Sequence, residues 1–118
     1  MHPIEHLRYV ARARYYDPCE AATDAAYALV ALSSDPSGLL VGCRLVLDYH
    51  PDNTAMWWVC ARAVTAFEPR RVLRDCLEEL HDKSTTQDDR VYPWETSMED
   101  LYRQFPDAVQ LLGCSDGK

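Results

Sequence analysis

The sequence contains little glycine and no long apolar run, and each shortage excludes a class of protein. Four glycines among 118 residues leave no glycine-rich phosphate loop, and neither a Gly-x-Ser-x-Gly elbow nor a His-Glu-x-x-His motif occurs. No apolar stretch approaches the roughly 18–20 residues of a membrane-spanning helix, and the first residues lack the basic and apolar regions of a signal peptide. We therefore predict no catalytic residue, no cofactor and no membrane contact, and we expect a cytoplasmic protein.

The chain is acidic and short of lysine. Its net charge is −7, and its aspartates and glutamates are spread along the sequence, which disfavours a cation-lined groove for nucleic acid and favours solubility. Two lysines stand against ten arginines, a usage typical of high-GC bacterial coding. We therefore predict no nucleic-acid partner.

The five cysteines show neither a disulfide nor a zinc pattern. Their number is odd and no Cys-x-x-Cys pair occurs, so we expect free thiols. Cys19 is the best placed as a nucleophile because it lies at a predicted helix start, but Asp17 and Glu20 oppose a thiolate there. His2 and His6 have the i, i+4 spacing of helical zinc ligands, yet two ligands do not close a site, so no metal is predicted.

Acid-proline pairs divide the chain into helices. Asp17-Pro18, Asp35-Pro36 and Glu68-Pro69 each indicate a helix start, because proline loses nothing at the first helical position and the acid can cap free amides. Between these pairs, apolar residues recur at the helical period. Helices are predicted at about 3–15, 18–33, 36–49, 53–67 and 69–82, followed by a sixth to about 104 and a last turn at 108–112. A Thr96-x-x-Glu99 capping box is expected to start the sixth helix.

The predicted fold is all-α, with six to seven short helices in a solenoid-like or orthogonal bundle of antiparallel helical hairpins. The fourth helix is apolar almost all round and is expected at the centre. Its inward residues are predicted to be Met56, Trp57, Cys60, Ala61, Val64 and Phe67.

Composition divides the chain into four parts. Residues 1–83 are predicted to form the helical-hairpin core, and residues 84–92 a polar linker. Residues 93–113 are expected to form a C-terminal helical segment that packs on the core or on a second copy, and residues 114–118 a frayed tail.

Two consecutive helix pairs share one period. Pro18 and Pro51 are 33 residues apart, and so are Pro36 and Pro69. A constant period of this length is typical of stacked helical hairpins, because each hairpin buries its apolar face against the next.

The junction between these pairs resembles the boundary between tetratricopeptide repeats. Pro51 matches the closing proline of one repeat, Trp57 the first aromatic of the next, and Ala61 the small residue four positions later. Val64 stands where a tyrosine is usual. The resemblance covers residues 18–83 as two degenerate units, and it implies helical-hairpin geometry but no peptide-binding groove.

A second resemblance covers residues 1–16 and about 21–67. It is based on residues 2–13, 35–39 and 57–62, which read HPIEHLRYVARA, DPSGL and WWVCAR. These stretches resemble the helical N-terminal segment of high-GC bacterial proteins related to initiation factor two-B subunits. In that family a larger α/β domain follows, and the residues after Phe67 contain nothing of that kind. The resemblance implies a helical segment that acts alone, and it supplies no catalytic residue.

Several aromatic residues are candidates for binding a protein partner or a second copy of the chain. Because Trp57 and Trp58 are adjacent on a helix, their indoles point about 100° apart and cannot both enter one core seam. Either the helix is covered on both sides or Trp58 faces a partner, where tryptophan is enriched. The predicted partner-binding residues are Trp58, Tyr92, Trp94, Tyr15 and Tyr16.

Arginines form a second candidate site. Arg62, Arg70, Arg71 and Arg74 are candidates for an anion-binding cluster, with a solvated helix face as the alternative.

The predicted function is a non-catalytic protein-interaction module, a small adaptor or regulator. One alternative is a small-molecule-binding or enzymatic bundle with an interhelical pocket walled by Trp57, Trp58, Tyr27 and the arginines. The other is an inhibitor of a larger enzyme, including a phage-encoded one.

Overall fold

The computed structural model describes residues 3–13, 17–85 and 90–112. Within these ranges it contains seven α-helices and no β-strand, which confirms the predicted all-α fold. None of these helices is long and apolar enough to cross a lipid bilayer. The helices are α1 (Pro3–Arg12), α2 (Pro18–Val30), α3 (Pro36–Tyr49), α4 (Thr54–Val64), α5 (Pro69–Thr85), α6 (Met98–Gln104) and α7 (Pro106–Leu112).

The predicted acid-proline helix starts are confirmed. Helices α2, α3 and α5 each begin at a proline, whose missing amide hydrogen removes one donor that the first turn cannot satisfy. The Asp17 carboxylate caps α2 by accepting a hydrogen bond from the Cys19 N–H at 2.9 Å. The Asp35 carboxylate caps α3 in the same way, from the Gly38 N–H at 3.1 Å. These two caps fix where α2 and α3 begin.

Helix α4 begins without a proline. Pro51 lies in the preceding turn, and the side-chain oxygen of Asn53 caps α4 by accepting a hydrogen bond from the Met56 N–H at 3.0 Å. The Asn53 amide nitrogen donates to the Pro18 carbonyl at 3.0 Å. This buried side chain therefore ties the start of α4 to the start of α2.

The cap of α6 differs from the prediction by one residue. The Ser97 hydroxyl accepts a hydrogen bond from the Asp100 N–H at 3.1 Å, and it is the N-cap. The Thr96 hydroxyl instead donates to the Asp100 carboxylate at 2.9 Å. Both hydroxyls fit the spacing rules for a cap, and the backbone conformation decides between them.

Helix α4 lies at the centre of the core, as predicted. It contacts α2, α3, α5, α6 and α7, and its first turn contains no acid that would need solvent. The residues of α4 that are buried are Ala55, Met56, Trp57, Trp58, Val59, Cys60, Ala61 and Ala63. Because this helix has almost no polar face, the other helices must cover it on several sides.

The C-terminal helices pack on the core of the same chain, through contacts of α6 with α4 and of α7 with α3 and α4. Helix α5 continues through Thr85, so the linker predicted at 84–92 is wrong where it overlaps this helix. It is also wrong at Tyr92, which is buried. Residues 86–89 and the tail predicted at 114–118 lie outside the described residues.

Gly42 permits a close approach of α3 to α1 and α2. A Cβ atom at this position would lie 2.6 Å from Leu7 Cδ2, 3.0 Å from Leu32 Cδ1 and 3.2 Å from Leu29 Cδ2. All three leucines are buried. Their methyl groups have no solvent to move into, so an added methyl requires repacking.

We expect Gly42→Ala to destabilise the protein by about 1–2 kcal/mol, although alanine is the better helix former. The overpacking outweighs the gain in helix propensity. Urea unfolding followed by circular dichroism measures the change in the free energy of unfolding. The exposed neighbour Val41 provides the control, since Val41→Ala should change it by less than about 0.5 kcal/mol. A Gly42→Ala protein as stable as the wild type would contradict the packing described here.

Candidate functional site

Trp58, Tyr92 and Trp94 are buried, so the prediction that they are exposed for partner binding is wrong. Their exposed fractions are 2%, 3% and 3%. The ring centroid of Trp94 lies 4.8 Å from that of Trp58 and 5.1 Å from that of Tyr92. These aromatic groups therefore cover each other within one chain, and α4 is covered on both sides of its tryptophan pair. Tyr15 and Tyr16 lie outside the described residues.

Side chains of α5 hold the aromatic segment, which we define as residues 90–95. The Arg90 guanidinium donates to the carboxylates of Asp82 and Glu79, at 2.9 Å in each case. The Tyr92 hydroxyl donates to the same Asp82 carboxylate. A segment without helical or strand periodicity is thus fixed by polar contacts to a neighbouring helix as well as by its rings.

A second polar contact closes the aromatic segment. The Lys83 ammonium donates to Glu95 Oε2 at 2.8 Å, and Glu95 Oε1 accepts from the Tyr92 N–H at 2.8 Å. The Lys83 hydrogen bond is the main reason that the pKa of Glu95 is lowered, and the same bond raises the pKa of Lys83. Both groups face solvent, so this pair orients the turn more than it stabilises the fold.

Arg62 belongs to this aromatic region and not with the other candidate anion-binding arginines. Its guanidinium lies 5.3 Å from the centroid of the Trp58 ring and donates to Cys76 Sγ at 3.8 Å. The open pocket beside it is lined by carboxylates, so an anion would be repelled there. These carboxylates belong to Asp75, Glu78, Glu79 and Asp82.

The interhelical pocket predicted from Trp57, Trp58 and Tyr27 does not bring these residues together. The Trp57 ring contacts Tyr102 and Phe105, with centroid distances of 5.1 and 6.1 Å. Trp58 packs on the aromatic segment instead, and Tyr27 is 62% exposed on α2. The Trp57 and Trp58 rings face different neighbours because the two residues are adjacent on α4.

An open apolar groove lies where two helix-connecting turns meet. We call this surface the turn face, and it comprises the α2–α3 turn (residues 31–35), the α4–α5 turn (residues 65–68) and the helix ends beside them. The groove has a volume of about 500 Å³. Its apolar lining residues include Leu39, Leu40, Ala63, Val64, Phe67 and Leu111.

Phe67 projects from the rim of this groove and is 98% exposed. The prediction that it lies in the core is wrong, because α4 ends at Val64. The Thr65 hydroxyl donates back to the Ala61 carbonyl at 2.7 Å at this helix end. The residue before Pro69 is biased toward extended conformation, so the chain leaves the helix before it reaches Phe67.

The far wall of the groove is positioned by a contact between α3 and α7. The Arg44 guanidinium donates to the Leu111 carbonyl through two nitrogens, at 3.1 and 2.6 Å. One arginine thus satisfies a carbonyl in the last turn of α7. Leu111 remains 39% exposed and faces the groove.

A basic pocket of about 600 Å³ adjoins the groove. It contains three of the predicted anion-binding residues, Arg70, Arg71 and Arg74, and one acid, Glu68. All three arginines are exposed. Among the described residues, no carboxylate forms an ion pair with any of them. The structure therefore brings three of the four predicted arginines together on the turn face.

Arg70 and Arg71 lie in the first turn of α5, where a positive charge opposes the helix dipole. Each such charge is unfavourable by about 0.3–1 kcal/mol at an exposed site. The first turns of α1, α2, α6 and α7 carry acids instead. Local helix stability therefore does not account for cations at this position.

Cys19 and Cys76 are poorly suited to nucleophilic catalysis. Burial raises the pKa of Cys19, and the neighbouring Asp17 carboxylate raises it further. Burial also raises the pKa of Cys76 to about 11. A thiol with a raised pKa contains little thiolate near neutral pH, and the thiolate is the reactive form.

Comparison of the chain with protein-family models, curated proteins and solved structures finds no match. The resemblances to tetratricopeptide repeats and to the helical segment of the initiation-factor-related family therefore stay predictions.

We expect Trp94→Ala to lower the free energy of unfolding by about 3–5 kcal/mol, because it removes a buried ring that packs on Trp58 and Tyr92. Thermal unfolding followed by circular dichroism measures this loss. Val91→Ala is the control, since Val91 is 76% exposed in the same segment. A Trp94→Ala protein with an unchanged melting temperature would show that the aromatic segment does not cover the core.

We expect Asp17→Asn to lower the pKa of the Cys19 thiol, because the substitution removes a carboxylate that disfavours the thiolate. Asparagine caps helices as well as aspartate does, so α2 should be unchanged. The rate of iodoacetamide alkylation at Cys19 is measured by peptide mass spectrometry across a pH series. The rate increases with pH as the thiolate forms, and in the variant this increase should begin at a lower pH than in the wild type. Asp52→Asn removes the same charge from another turn and should leave the rate profile unaltered. Identical profiles for all three proteins would refute this electrostatic coupling.

Proposed function

We propose that this protein is a non-catalytic interaction module, an adaptor or regulator, that binds another protein through the turn face. The observation that supports this proposal is Phe67, which is 98% exposed beside an open apolar groove. Burying a phenylalanine side chain stabilises a fold or a complex by roughly 1.5–3 kcal/mol. Phe67 is not buried within this chain, so this stabilisation is available for binding a partner.

The groove and Phe67 together have the form of a docking surface. An exposed aromatic side chain beside an apolar depression offers both a projection and a recess to a partner, and such central aromatic groups dominate binding energies. Single exposed apolar residues are ordinary, whereas a cluster with a groove favours an interaction site. The apolar side chain of a partner segment would contact Phe67 and enter the groove beside it.

Another protein is a better occupant than a second copy of this chain. A two-fold dimer would bring the same patch from both copies together. In that arrangement the arginines that adjoin the groove, Arg70, Arg71 and Arg74, would be brought into the same interface as those of the second copy. Like charges brought together in an interface are unfavourable, so self-association is not supported by the charge of this face.

The test is a selection of random peptides displayed on phage against the purified chain, followed by binding measurements with the variant Phe67→Ala. We expect peptides with a large apolar residue to be enriched, and the variant to bind them roughly tenfold or more weakly. Fluorescence polarisation with a labelled synthetic peptide measures the dissociation constant. Because Phe67 is exposed, the free energy of unfolding of the variant should differ from that of the wild type by less than about 0.5 kcal/mol.

Tyr9→Ala is the matched control, because Tyr9 is 72% exposed on α1. Its affinity for the peptides should equal that of the wild type. The proposal fails if no peptide is enriched, or if Phe67→Ala binds as tightly as the wild type. A dimer in sedimentation velocity that dissociates in Phe67→Ala would assign the turn face to a second copy and would contradict the choice of another protein.

A further inference from the structure

We infer that the partner segment is acidic as well as apolar. It seats a large apolar side chain in the groove of the turn face and places carboxylates against Arg70, Arg71 and Arg74. This inference rests on the proposed function and names the chemistry of the partner.

The groove and the basic pocket form one continuous surface. Ser33 and Pro69 line both of them, so the apolar side and the arginines adjoin at these two residues. A short segment lying across this boundary would meet both environments. The partner's apolar and charged groups therefore lie close together in its own sequence, as they do on one face of an amphipathic helix or in a short extended peptide.

The arginines are available for new ion pairs. Within the described ranges no carboxylate pairs with Arg70, Arg71 or Arg74, and Glu68 is the acid in the lining of their pocket. Guanidinium groups bind carboxylates through paired hydrogen bonds of fixed geometry. Three arginines against one acid give this part of an otherwise acidic chain a local positive charge.

Helix stability alone would favour the opposite charge at this position. Arg70 and Arg71 occupy the first turn of α5, where acids would be favourable. A binding role accounts for the cations, since a partner's carboxylate would meet them at the mouth of the groove.

A nucleic acid or a free phosphate fits this surface less well. A free phosphate would meet the arginines but has no apolar group for the groove beside Phe67, and the net charge of −7 would repel the polyanionic backbone of a nucleic acid. The combination of an apolar recess and a basic pocket favours a protein segment that carries both kinds of side chain.

The peptides enriched by phage display test this inference through their composition and through the variant R70Q/R71Q. We expect Asp and Glu to be enriched near the apolar residue, and the variant to bind these peptides roughly tenfold more weakly. Affinity of the wild type should also fall as the ionic strength rises, because exposed ion pairs are screened by salt. The melting temperature of R70Q/R71Q should equal or exceed that of the wild type, since the variant removes two charges that oppose the helix dipole. If the two arginines merely supported the fold, the melting temperature of R70Q/R71Q would be lower than that of the wild type.

R8Q/R12Q is the matched control, because it removes two exposed arginines from α1. Its affinity for the peptides should be unchanged. The inference is overturned if the peptides lack acids, or if both double variants lose affinity equally. Those results, with binding still dependent on Phe67, would leave the proposed function intact. Loss of the Phe67 dependence would instead defeat the proposed function itself.

Discussion

The structure depends on the enclosure of α4. A helix whose residues from Ala55 to Ala61 are all buried cannot rest on one neighbour, so α2, α3, α5, α6 and α7 all contact it. This requirement explains why the C-terminal segment folds back onto its own chain, with α6 beside Trp57 and the aromatic segment beside Trp58. The turn that follows α4 is not enclosed in this way, since Thr65, Phe67 and Glu68 are exposed there.

The sequence predicts the helices well because their starts have local causes. A proline at the first helical position and an acid before it act within a single turn, so their effect does not depend on the rest of the fold. Helix α4 was also predictable as the central element, since its lack of polar residues needs no knowledge of its neighbours. The order in which helices pack is different, because it depends on contacts between residues far apart in the chain. The cap at Ser97 shows the limit of local rules, since Thr96 satisfies the same spacing.

The candidate site was predictable only in part. Arg70, Arg71 and Arg74 share one end of a helix, so their clustering follows from spacing, whereas Arg62 lies on another helix and points toward acids. Tyr92 and Trp94 lie in a segment without periodicity, which suggests that they are exposed. Only the fold shows that this segment packs on Trp58 and covers one face of α4. For Phe67 the error is the opposite one, because the sequence predicts burial and the side chain is exposed. It continues the apolar period of α4, but the proline two residues later ends the helix first.

The charge of the whole chain and the charge of the turn face have opposite signs, and the two act over different distances. The net charge of −7 sets the field that an approaching acidic partner meets first, whereas the three arginines dominate only for a carboxylate close beside them, and salt screens both effects beyond about 8 Å. Such an arrangement does not accelerate encounter, since steering requires complementary fields at long range. For the acidic partner segment that we propose, it would favour selectivity instead, because such a segment would gain the full attraction only when its apolar side chain is seated beside Phe67 and its carboxylates reach the basic pocket. Acidic proteins without a suitably placed apolar group would experience mainly the repulsion.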